Sequence, residues 1–107
     1  MVTRAWVPAL VLVEAVRPGL ADFPDGTEWD AVFRALWSRD PFRMLRLTKW
    51  TAAGAELKPV AVWRDSSRVR NGHHRIAAAY AVGGSVGLHL CSAPVCADPG
   101  CPEPVTS

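Results

Sequence analysis

The sequence predicts a small α/β (α+β) domain, in which a mixed sheet packs with helices, on the strength of three observations. Trp29, Val32, Phe33, Leu36 and Trp37 recur at i, i+3, i+4, i+7 and i+8, the stripe of a helix lying on a core. Leu57 to Trp63 is a β-rich run followed by the turn residues Asp65-Ser66-Ser67 and a short return strand, Arg68 to Arg70, which together read as a hairpin. His73 to Val82 is rich in alanine, ends at Gly83-Gly84 as a helix should, and leads into a last strand from Val86 to Leu90.

The remaining elements follow in chain order. Ala5 to Val13 is apolar and reads as a buried element. Overlapping it, Ala9 to Val16 carries three valines and reads as a strand, with a helix as the competing reading, and Pro18-Gly19 ends it either way. Asp22 to Gly26 reads as a loop, after which Thr27 and Asp30 form a weak capping box that opens the aromatic-striped helix. Asp40-Pro41 caps and opens another helix over Phe42 to Ala53, because proline's missing N–H is not needed in a first turn. A strand over Arg43 to Lys49 competes there, since the apolar spacing is mixed. Gly54 stops this element, and Pro59 suits only the first residue or the edge of the strand that follows.

The chain has 107 residues, enough for a single core, which places one domain over 1–91 and a proline-rich, flexible tail over 92–107. Half of the residues are apolar and 21% are charged, which excludes a disordered composition. The net charge of +2 gives no global case for nucleic-acid binding, so any such case rests on a local patch, here Arg64, Arg68, Arg70 and Arg75. The apolar start lacks the cleavage pattern of a signal peptide and contains Pro8, no run is long enough to span a membrane, and a cytoplasmic protein without a membrane partner is expected. Three cysteines do not make a closed disulfide framework.

The segment that carries chemistry is Asn71-Gly72-His73-His74-Arg75, standing between a strand and a helix. A helix start exposes unpaired N–H groups and about half a positive charge, so phosphates bind there readily. Gly72 lets backbone approach a ligand closely, Arg75 offers a two-pronged contact to phosphate oxygens, and His73 and His74 add donors whose charge depends on pH. Asn71 fixes the turn, while Arg68, Arg70 and Lys58 are second-tier contributors of positive charge.

The stretch from Leu57 to Val82, with Leu-Lys-Pro-Val-Ala-Val before the hairpin and Asn-Gly-His-His-Arg-Ile-Ala-Ala-Ala after it, resembles the ParB-like nuclease domain family, which shares its fold with sulfiredoxin. The resemblance implies that Gly72, His73, His74 and Arg75 hold the phosphates of a nucleotide or the backbone of a nucleic acid. Family members use CTP in chromosome partitioning and ATP or ADP in sulfiredoxin and the free-serine kinases, so a nucleoside triphosphate with Mg²⁺ is the implied ligand. Two positions depart from the family pattern. His73 stands where sulfiredoxin has its attacking cysteine, so redox chemistry is not implied, and Asn71 stands where aspartate is frequent, which weakens an acid–base role. Residues 83–107 are too short for the helix-turn-helix reader that follows this domain in partitioning proteins.

Three other functional classes remain open on the sequence. Hydrolysis or phosphoryl transfer lacks a recognisable set of clustered carboxylates, so the sequence leaves catalysis undecided. His89, Cys91, Cys96 and Cys101 are potential zinc ligands, but their spacing is not that of a zinc ribbon, and a buried Cys91 with no metal is the favoured reading. A protein-binding adaptor would use the basic hairpin or an exposed Trp29, Phe33 and Trp37.

Overall fold

The structure, a computed structural model, describes residues 5–19 and 26–92, and the expected loop at 22–25 and tail at 93–107 lie outside them. Its elements run β1 (Ala5–Pro8), α1 (Ala9–Ala15), α2 (Trp29–Arg39), α3 (Pro41–Ala52), β2 (Val60–Trp63), β3 (Val69–Asn71), α4 (His73–Val82) and β4 (Ser85–Cys91). The sheet has the order β1-β4-β2-β3, with β4 parallel to β2 and antiparallel to β1, and β2 antiparallel to β3. This is the mixed α/β sheet that the sequence predicts.

The valine-rich start corrects one expectation. Ala9 to Ala15 is a helix, and the strand lies before it at Ala5–Pro8, on the sheet edge and largely exposed. The reason is spacing: Ala9, Leu12, Val13 and Val16 fall at i, i+3, i+4 and i+7 and pack into the core, while Leu10, Val11 and Glu14 point outward. One buried helical face outweighs the β preference of three valines.

α2 begins where expected but not as expected. Its cap residue is Glu28, extended and without a side-chain bond to the helix, one position after the Thr27 that a Thr27–Asp30 capping box would use. Val32 and Leu36 are fully buried, and Trp29, Phe33 and Trp37 pack part-buried against the core, which leaves an adaptor surface on this stripe unsupported. The Trp29 indole N–H donates to the Val16 carbonyl at 2.9 Å, so a polar edge inside the stripe is satisfied. α3 opens at Pro41 as the proline predicts, and the competing strand over 43–49 is not realised.

α4 lies between two halves of the core. Ile76 and Ala79 join Leu12, Val60, Val62, Val69 and Val86 on the sheet side, while Ala77 and Ala78 join Val32, Leu36 and Met44 on the side of α2 and α3. Alanine on both sides lets neighbours approach closely, and it also favours the helix intrinsically. At its end Gly83 adopts φ 68°, and the Gly84 N–H returns to the Ala79 carbonyl at 2.8 Å, closing the helix as Gly83-Gly84 predicts. The other face of the sheet carries a smaller cluster of Ala61, Cys91 and Trp63.

Because Ala78 is fully buried, Ala78→Leu should destabilise the protein by about 1–3 kcal/mol through overpacking. Leu10→Ala, at an exposed position of α1, should stay within about 0.5 kcal/mol, and urea unfolding of both variants checks the contrast.

Candidate functional site

Two glycines allow the segments of the site to come together. Gly72 is the N-cap of α4 with φ 115°, and a Cβ there would lie 2.9 Å from the Val60 Cγ2. Glycine is therefore needed for the close pass of β3's end over β2, a use different from the ligand approach that the sequence suggests. Gly19 runs so close to β3 that a Cβ would collide with the Val69 carbonyl. Around it, Arg17 exchanges both backbone bonds with the hairpin, its N–H donating to the Ser67 carbonyl and its carbonyl accepting from the Val69 N–H, each at 2.9 Å.

Each large side chain of the box has a partner in a different segment. His73 is 2% exposed, and its Nε2 accepts the Gly19 N–H at 3.0 Å. Burial first, and the neighbouring His74 second, lower its pKa from 6.5 to about 4. His73 is thus a neutral, buried acceptor at Nε2 rather than the pH-dependent ligand donor expected from the sequence. His74 Nε2 lies 2.9 Å from Asp40 Oδ2, so the N-cap aspartate of α3 turns its side chain toward α4. Asp40 serves α3 through its backbone, its carbonyl accepting the Met44 N–H at 3.0 Å. Arg75 Nη1 donates to the Lys58 carbonyl at 3.0 Å, fixing the approach to β2.

The structure separates the second-tier residues. Lys58 sits beside Arg75 through that carbonyl, and Asn71 ends β3 opposite Ala61. Arg70 faces the other side of the sheet, its guanidinium 4.8 Å from the centre of the Trp63 ring and its Nη1 3.8 Å from Cys91 Sγ, away from the helices. Arg68 instead forms a parallel bridge with Arg17, and both line a cleft of about 330 Å³ with Pro18, Gly26, Thr27 and Ser66. Two arginines and two hydroxyl-bearing residues are among those that line this space, and none of these described lining residues is a carboxylate. Its wall, Arg17-Pro18, continues into Gly19, the residue bonded to the first side chain of α4.

Arg17, Thr27 and Ser66 escape sequence reasoning because no local pattern brings positions 17 and 68 together; only the bridge does so. The first turn of α4 has no acidic residue and its N-cap contributes no side-chain bond, so the positive end of the helix is not offset from within. A zinc site is not formed among the described residues: Cys91 is buried, no group of three His, Cys, Asp or Glu could hold a metal, and Cys96 and Cys101 lie outside the description. No helix among the described residues is long and apolar enough to cross a membrane.

Two outcomes follow from this geometry. Gly72→Ala combines a positive φ with a contact against Val60, and should cost about 1–3 kcal/mol by the usual scale of backbone strain, read by thermal unfolding. His73 is neutral in both states above pH 6.5. As pH falls toward 4 the unfolded chain takes up a proton that the folded one resists, so stability drops across this window, by on the order of 3 kcal/mol. His73→Gln should flatten that part of the stability–pH curve relative to wild type.

The chain matches no protein-family model, no curated protein and no solved structure.

Proposed function

We propose that the protein binds a phosphate-bearing ligand, a nucleotide or a nucleic acid, where the start of α4 adjoins the cleft of Arg17 and Arg68. The observation that carries this reading is that Arg17, Arg68, Thr27 and Ser66 line one cleft, whose wall runs on to Gly19, bonded to His73 at a helix start without an internal anion. Its volume, about 330 Å³, is at the small end of ligand pockets and suits a phosphate group with part of a nucleoside better than a large apolar molecule. Arg75 and Lys58 supply charge on the flank of the helix, and the resemblance of Leu57 to Val82 to the ParB-like family points to the same ligand class. A nucleoside triphosphate would bring Mg²⁺ on its own phosphates, since the described lining of the cleft offers the ion no carboxylate.

The second reading, hydrolysis or phosphoryl transfer at this site, is favoured by one contact. His74 and Asp40 have the arrangement of a base and its orienting carboxylate. Release of inorganic phosphate from ATP or CTP above the buffer rate, abolished in His74→Ala, is the result that reading requires.

The binding reading is tested by thermal unfolding with CTP, ATP, GTP and a short DNA duplex in Mg²⁺. A ligand at 100 times its Kd stabilises the folded state by about 2.7 kcal/mol, and the shift should disappear in Arg17→Ala/Arg68→Ala and shrink in Arg75→Ala. Equal midpoints for all ligands in a well-folded wild type would leave the box as a structural junction and remove the proposal.

A further inference from the structure

α3 presents two stripes. Met44, Leu47, Thr48 and Thr51 face the rest of the domain at i, i+3, i+4 and i+7, with Met44 fully buried and Leu47 packed beside it. Facing outward at i, i+3, i+4, i+7 and i+8 are Phe42, Leu45, Arg46, Lys49 and Trp50. Phe42 is 81% exposed, Leu45 57% and Trp50 47%, a concentration of large apolar surface on one helix of a small domain. The helix holds three cations, Arg43, Arg46 and Lys49, and no carboxylate.

We infer that this outward stripe of α3 is a docking surface for an acidic protein partner, one that offers an apolar groove rimmed by Asp or Glu. An amphipathic helix reads such a groove through anchors at helical spacing, and Phe42, Leu45 and Trp50 at i, i+3 and i+8 supply them. The one-signed charge selects the rim. A second copy pairing through the same face about a two-fold axis would set Arg and Lys against Arg and Lys, which is repulsive. An anionic membrane would require Arg46 and Lys49, which lie between Phe42 and Trp50 on the stripe, to enter with the apolar residues. Nucleic acid would use the cations and stack on the aromatics, but it leaves Leu45 without a role. The surface stands apart from the cleft of Arg17 and Arg68, and neither assignment depends on the other.

The test is binding of fluorescent helical peptides with a leucine stripe flanked by glutamates or, in a control, by lysines, measured by anisotropy beside anionic vesicles and a single-stranded oligonucleotide. The glutamate-rimmed peptide should bind at least about tenfold more tightly than the lysine-rimmed one, a gap of about 1.4 kcal/mol. Phe42→Ser/Leu45→Ser should abolish this binding, and Arg46→Glu/Lys49→Glu should reverse the preference, each variant unfolding at the wild-type midpoint. Equal binding of the two peptides, loss in neither variant, or tighter binding to vesicles or oligonucleotide than to either peptide overturns the inference. A concentration-dependent dimer lost in Phe42→Ser/Leu45→Ser would overturn it in favour of self-association.

Discussion

The burial of α4 on two sides governs the rest of the molecule. A helix that contacts the sheet through Ile76 and Ala79, and α2 and α3 through Ala77 and Ala78, has little freedom to rotate or slide. Its first turn is fixed as firmly, because His73, His74 and Arg75 each reach a different segment. The box at its start is therefore a junction of the fold, joined through the Gly19–His73 bond to the segment that walls the candidate cleft. Residues that hold an element in place also set where its N–H groups point, which is what a preorganised anion site requires.

Much of this was legible in the sequence wherever the signal was local. α2 followed from its apolar period, the β2–β3 hairpin from its turn residues, and α4 from alanine content and paired glycines. α1 was misread because three valines outvoted a helical spacing only seven residues long. α3 showed a mixed pattern for a physical reason: it carries an inner and an outer apolar stripe, and their overlap blurs the period of either. Roles that depend on distant segments were not legible. Asp40 caps α3 as its sequence position suggests, but its side chain meets His74, which no local pattern shows; His73 looks like a ligand donor and is a neutral acceptor for Gly19. Arg17 carried no signal until the bridge to Arg68 joined two positions far apart in the chain.

The chain thus separates its interactions by region. Charge with hydroxyls collects at the cleft between the hairpin and the Arg17 segment, and charge with large apolar groups collects on α3. Arg70, which the sequence grouped with the first set, belongs to neither, since it stacks on Trp63 across the sheet. A basic residue near a phosphate motif is informative only once its partners are known, here the Trp63 ring for Arg70 and the bridge to Arg17 for Arg68.

The sheet order has a consequence for how the chain is made. β1 sits at the edge with β4 as its neighbour, so Ala5 lies opposite Leu88, and the first of the described strands pairs with the last of them. β4 also separates β1 from β2, so no earlier strand can take its place. Until Ser85–Cys91 has left the ribosome, the nascent chain holds a hairpin and helices but an open strand edge at each of β1 and β2. Closure of the described sheet thus depends on a long-range pairing that waits for β4, and in that interval open edges invite mispairing.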